Sequence, residues 1–196
     1  GAQRGRRNQW REELVAGRTR ELSKVKEHVQ RQLNENGGLA ERDALTRLAN
    51  RYRLEDSLKR ECERAQRFRQ PFSVIAMDMD DFKPINDHFG HARGDAALVQ
   101  VADTLRHSLR AADLLARWGG DEFVVVLPHT TLPEAKSRAA QLRQGLAQLA
   151  PVGDWPLTMS YGVVQWQEGD DRQSVLARAD KALYRAKGAG KNAIAE

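Results

Sequence analysis

The chain holds a single cysteine among 196 residues, and aromatics make up only 6% of it. With Cys62 alone, no disulfide can form within the chain, so cross-links are excluded as its framework and a reducing, cytoplasmic compartment is expected. No apolar run approaches the roughly 18 residues that span a bilayer, so no membrane contact is expected of this stretch. No secretory leader is visible, and the first residue is Gly1 rather than Met. The chain therefore reads as an excised piece of a longer protein. Nor is there a broad excess of one charge. The net charge is +5, but residues 1–40 supply +4 of it, with nine Lys/Arg against five Asp/Glu. The remainder is nearly balanced and carries no basic stripe interleaved with aromatics, so nucleic acid is not an expected partner.

What is present is a chain of two parts. Residues 8–35 are rich in Glu, Arg, Lys, Gln and Leu and contain no proline, which predicts a helix. Val15, Leu22 and Val29 recur every seven residues, with Val25 adding part of a second seam, while Arg18 and Gln32 interrupt it. A short coiled coil and a solvated helix are both compatible with that pattern. Asn36-Gly37-Gly38 ends the helix and reads as a hinge. The expected division is a helical linker over 1–38 and a globular domain over 39–196.

Within that domain, Leu54, Leu58, Cys62 and Ala65 fall at helical spacing, predicting an amphipathic helix over 50–68 with Cys62 as a small buried hydrophobe. Residues 72–77 read as a buried strand ending in the acidic run Asp78-Met79-Asp80-Asp81. Further helices are expected over 98–109, 135–149 and 173–187, and a further strand over 157–166. Leu114–Trp118 and Phe123–Leu127 flank Gly119-Gly120 as a hairpin. That hairpin makes its strands antiparallel. The expected class is therefore α+β, a mainly antiparallel sheet flanked by helices, rather than a doubly wound parallel sheet.

The hairpin tip carries the chemistry. Gly119 and Gly120 leave the backbone bare where a ligand can approach, and Asp121 and Glu122 follow at once. Paired acids at a bare turn are costly unless something positive sits there, and a divalent metal carrying a nucleotide triphosphate suits the description. If the strand ending at Asp78 is a neighbour, its carboxylate joins them on one sheet edge, although solvated loop acids give the same pattern. Lys83 follows the acidic run, placed to offset charge on a phosphate. Asn86 and Asp95 offer the donors and acceptors that suit a guanine edge. His88 and His91 are three apart but lack a third ligand, which argues against zinc. Lys187 and Lys191 flank Gly188-Ala189-Gly190; a phosphate loop fails there because Arg185 and Asn192 stand at required positions, leaving phosphate contact and helix-end charge as alternatives. Arg110 and Asp113 read as a surface pair on one helical face, or as a ligand clamp.

Four ordered motifs then resemble the GGDEF domains of bacterial diguanylate cyclases. Gly119–Phe123 carries the GGDEF string itself. Asp43–Arg51 resembles the family's D-x-L-T-x-L-x-N-R opening. Asp78–Asp95 resembles D-x-D-x-F-K-x-x-N-D-x-x-G-H-x-x-G-D, and Ala179–Lys187 resembles A-D-x-A-L-Y-x-A-K. The match runs from about residue 43 to 194.

The resemblance implies a cyclase- or polymerase-palm-like fold and condensation of two GTP into cyclic di-GMP with release of pyrophosphate, by a homodimer. It implies that Asp78, the Met79 carbonyl and Asp121 hold Mg²⁺, two ions per GTP, with Mn²⁺ as a substitute. Asp121 would be the base near the attacking 3′-hydroxyl, assisted by Glu122, and Lys83 would stabilise the transition state. Phe82, Asn86, His91, Asp95, Gly119 and Gly120 would line the nucleotide, and Lys187 and Lys191 would grip its phosphates; Lys191 stands where Arg is common. Arg110 and Asp113 match the R-x-x-D motif of product inhibition by cyclic di-GMP. Arg64 is the candidate second inhibitory arginine, while Gln141 stands where some members have Arg. As a piece of a longer protein, the chain is compatible with a parent anchored in the inner membrane through an upstream segment. A non-catalytic module that binds GTP or cyclic di-GMP is the alternative, disfavoured by the presence of Asp78, Lys83, Asp121 and Glu122 together.

Overall fold

The computed structural model describes residues 2–35 and 41–196, with side chains placed for 14–32 and 41–196. The expected hinge at Asn36-Gly37-Gly38 lies outside the described residues. The chain falls into two compact units, one formed by the N-terminal helix and the other by Glu41–Glu196.

The first unit is a single helix, α1 (Ala2–Glu35), which begins six residues earlier than the composition predicts. Its apolar side chains Val15, Leu22, Val25 and Val29 stand exposed on the lone helix.

The second unit begins with α2 (Arg51–Phe68), β1 (Phe72–Met79), α3 (Phe82–Phe89) and α4 (His91–His107). The hairpin β2 (Leu114–Gly119) and β3 (Glu122–Pro128) follows, then α5 (Leu132–Leu146), β4 (Met159–Gln165), α6 (Arg172–Gly188) and β5 (Ile194–Ala195). Local chemistry sets several of these bounds. The Asn50 side chain accepts from the Arg53 N–H at the start of α2, and Thr131 with Glu134 forms a reciprocal cap on α5.

The five strands are ordered β2-β3-β1-β4-β5. The pairs β2–β3, β3–β1 and β1–β4 are antiparallel, and the two-residue β5 joins β4 in parallel. The α+β reading with a mainly antiparallel sheet therefore holds. Alternation along the strands divides the side chains between two helical layers. Ile75, Met77, Phe123, Val125 and Tyr161 face α3, α4 and α5. Val74, Ala76, Val124, Val126 and Val164 face α2 and α6, where Leu54, Leu58, Cys62 and Ala65 are buried as expected.

Gly162 on β4 shows how close α6 comes to the sheet. A Cβ there would lie 2.3 Å from the Leu183 nitrogen and 2.4 Å from the Ala179 carbonyl oxygen, backbone atoms that cannot swing aside. The bare α-carbon lets α6 ride directly on the strand, and that contact aims the end of α6 at the end of β1.

Three expectations need correction. Residues 82–89 form a short helix that the apolar periodicity did not predict, and α4 begins at His91 rather than near residue 98. The helix α5 stops at Leu146, so Leu149 lies beyond it. Arg110 and Asp113 do not share a helical face: α4 has already ended at His107, and the two residues close a turn. The Asp113 carboxylate accepts from both the Arg110 N–H and its guanidinium, at 2.8 and 3.0 Å, and the Asp113 N–H returns a bond to the Arg110 carbonyl.

Candidate active site

The register of the sheet brings the two acidic segments together. On the antiparallel pair β1–β3, Asp78 stands directly opposite Glu122. One step further, the Met79 N–H bonds the Asp121 carbonyl at 3.2 Å, which ties the hairpin turn to the end of β1. Asp78, Asp121 and Glu122 thus share one edge of the sheet, although they are more than forty residues apart in sequence.

The turn itself is held from behind. Gly120 adopts a positive φ of 54°, and the β2–β3 register shifts between Arg117 and Gly119. Arg117 donates twice to the Gly120 carbonyl, at 2.9 and 2.7 Å, and its other terminal nitrogen reaches Asp43 at 3.2 Å. Asp43 also accepts from the Thr46 N–H and hydroxyl, both at 2.8 Å. These bonds hold its carboxyl below the usual range despite burial, which acts in the opposite direction. Sequence reasoning gave neither Asp43 nor Arg117 a role; they are a brace for the turn.

Asp78 and Asp80 are two residues apart and have opposite characters. Burial, then the charge of Asp121, push Asp78 up to about 6, against the pull of Lys187. Glu122 is raised in the same way, by burial, Asp121 and Asp180. Asp80 is buried too, at 4% exposure, yet its carboxyl is lowered. It accepts from the Ser160 hydroxyl at 2.7 Å, the Thr158 hydroxyl at 2.8 Å, the Asn192 N–H at 2.8 Å and Lys187 Nζ at 2.9 Å. Those bonds outweigh burial. Asp80 is a fully satisfied structural acid, whereas Asp78 and Glu122 are acids held under mutual repulsion.

The end of α6 delivers Lys187 to this edge. Its Nζ lies 3.2 Å from Asp78 Oδ1, 3.3 Å from the Met79 carbonyl and 2.9 Å from Asp80 Oδ1. Burial tends to lower its pKa, but the Asp80 bond and the charge of Asp78 raise it overall. Lys191, just past the helix, pairs with Asp81 at 2.5 Å. An ammonium seated against Asp78 and the Met79 carbonyl shows that these oxygens converge on a cation. The Asp78 carboxylate and the Met79 carbonyl are hard oxygen donors, of the kind that suits a divalent cation.

A match to the family model described as "Diguanylate cyclase, GGDEF domain" covers residues 40–193. The chain belongs to the GGDEF family. Among curated relatives, the diguanylate cyclase DgcP of Pseudomonas aeruginosa is 39% identical over 158 residues, covering 78% of this chain and 23% of DgcP. The response regulator PleD of Caulobacter vibrioides is 36% identical over 180 residues, covering 86% of this chain and 38% of PleD. The chain thus spans only a minor part of those relatives. Among solved structures, the GGDEF domain of DgcB from Caulobacter crescentus, in complex with c-di-GMP, superposes with a TM-score of 0.76 at 29% identity, covering 80% of this chain and 93% of that one. The Pseudomonas aeruginosa diguanylate cyclase SiaD, solved with its activator SiaC, also gives 0.76, at 36% identity, covering 98% of this chain and 74% of that one.

Around the GGDEF turn, the other expected residues fall as follows. Phe82 is buried at the start of α3, and Lys83 beside it is exposed. Asn86, also on α3, packs over Gly94: a Cβ at Gly94 would fall 1.7 Å from Asn86 Oδ1. That oxygen is buried and has no hydrogen-bond partner among the described residues. His91 and Asp95 are exposed on the first turns of α4. Arg110, besides Asp113, donates to the Pro128 carbonyl at 3.2 Å and to Thr130 at 3.1 Å. Arg64 pairs with Glu61 on its own helix α2 at 3.3 Å.

The raised Asp78 carboxyl has a measurable sign. Its folded-state value, about 6, lies above the ordinary carboxylate value of 3.8, so the folded chain holds the extra proton between those limits. Its contribution to stability therefore falls as pH rises from about 4 to 6 and is level above that. The variant Asp78→Asn is expected to gain melting temperature relative to the parent chain over that window, measured without metal, with the difference constant from pH 7 upward.

Proposed function

We propose that this domain is a diguanylate cyclase that condenses two GTP into cyclic di-GMP and releases two pyrophosphates. The observation that carries the reading is the convergence of Asp78, the Met79 carbonyl and the Asp121–Glu122 turn on one sheet edge, with Lys187 seated among them.

The roles follow from the chemistry of each group. Asp78, the Met79 carbonyl and Asp121 would hold Mg²⁺, which when bound offsets phosphate charge and makes the 3′-hydroxyl easier to deprotonate. The Asn86 amide and the Asp95 carboxylate would meet the amine and N1–H edge of guanine. Bare Gly119 and Gly120 admit the triphosphate against the backbone, with Phe82 and His91 alongside. Asp121, with Glu122, takes the proton of the 3′-hydroxyl. The 3′-oxygen then bonds to the α-phosphorus of the other GTP as the bond to pyrophosphate breaks. Lys83, Lys187 and Lys191 offset the charge that builds on the phosphoryl oxygens.

One turn presents one nucleotide, so the ring closes only when two domains face each other. Dimerisation is therefore part of the reaction, and the apolar stripe of α1 is a candidate for pairing the chains. Cyclic di-GMP held at Arg110 and Asp113, with Arg64, would act as a product inhibitor.

Incubating the chain at micromolar concentration with GTP and Mg²⁺ and resolving the nucleotides by mass tests the reading. Cyclic di-GMP and pyrophosphate in a 1:2 ratio are expected. Tight guanine-nucleotide binding without any product would instead assign the domain as a binding module.

A further inference from the structure

The Lys187 ammonium has three protons, and all three are spent: one on Asp78, one on the Met79 carbonyl and one on Asp80. Two of those acceptors are the oxygens read above as metal ligands. A lysine in this seat has no donor left for a phosphate, and its charge opposes a metal at Asp78 Oδ1 and the Met79 carbonyl while it remains. Holding the acids and gripping the nucleotide are therefore mutually exclusive positions of one side chain.

We propose that Lys187 is a tethered counter-ion that occupies the metal position until a triphosphate draws it away, so that metal and nucleotide enter together. This rests on the nucleotide reading of the site. The long flexible stem makes the exchange a matter of side-chain rotation, with the backbone of α6 fixed on Gly162. The third partner, Asp80, stays satisfied when the lysine leaves. Thr158, Ser160 and the Asn192 N–H still bond it. Lys191 provides a comparison, because it carries the same charge four residues on but, among the described residues, pairs with the exposed Asp81 alone.

The test is Mn²⁺ binding to the whole chain in the absence of nucleotide, followed by electron paramagnetic resonance. Lys187→Gln is expected to bind Mn²⁺ at least fivefold more tightly than Lys191→Gln, which removes the same charge nearby. A smaller difference overturns the proposal. A second measurement needs no variant: the Nζ resonance of Lys187 in the ¹⁵N-labelled parent chain. It is expected to stay in place with Mg²⁺ alone and to move with Mg²⁺ plus a non-hydrolysable GTP analogue. Movement with Mg²⁺ alone overturns the proposal as well. Failure here leaves the product assay untouched, and failure of that assay leaves the Mn²⁺ comparison valid.

Discussion

Replacing Asp121 by alanine is expected to lower cyclic di-GMP formation by about a thousandfold while the chain stays folded. The loss follows from its double assignment, as a metal ligand and as the acceptor of the 3′-hydroxyl proton. Retention of the fold follows from the geometry. The contribution of residue 121 to the sheet is its carbonyl, which accepts from Met79, and alanine keeps it. The carboxylate raises its neighbours Asp78 and Glu122, so its removal relieves repulsion within the protein. The expected result is a dead enzyme with an unchanged or slightly raised melting temperature, read by product mass and thermal denaturation on one sample. A parallel loss of activity and stability would count against the assignment.

Asp80→Ala is expected to do the reverse, acting chiefly on stability. It removes a buried carboxylate that two hydroxyls, one backbone N–H and one ammonium all address. Removing one member of a buried charged network costs about 3–5 kcal/mol, because the partners are left unsatisfied. That is a large part of the roughly 5–15 kcal/mol that holds a domain of this kind together. Asp81→Ala, one residue on, removes an exposed pair with Lys191 and places alanine at a positive φ of 52°, and is expected to cost about 1–2 kcal/mol. Denaturant titration of the two variants separates them. The sign with pH also differs from that of Asp78: the lowered Asp80 carboxyl stabilises above the unfolded carboxylate range, and that stability is lost as pH falls.

The contrast between Asp78 and Asp80 marks where sequence reasoning stops. The acidic run was visible, as was its place at a strand end, but both residues sit in the same D-x-D pattern. What separates them is the set of neighbours from β4 and the loop after α6, eighty and more residues away. The sheet was legible because β1 and the hairpin strands are apolar and bounded by Gly, Pro or acidic residues. The short helix α3 was not, since Pro84, Asn86 and Asp87 fall within its eight residues and only Phe82 and Ile85 are buried. The two-residue β5 offers no periodicity at all. The Arg110–Asp113 turn was misread as helical because spacing of three fits a helix face and a tight turn equally. The four motifs located the candidate site, yet the seat of Lys187 depends on the approach of α6 at Gly162, which no local pattern encodes.

The brace behind the GGDEF turn has a mechanical consequence. Asp43 is the third described residue of the second unit, and one guanidinium joins it to the Gly120 carbonyl. The first residues of this unit and the tip of its hairpin are therefore linked through one side chain. A displacement at Asp43 reaches the turn through the Arg117 side chain as well as through the backbone bond that Arg117 donates to Ala49.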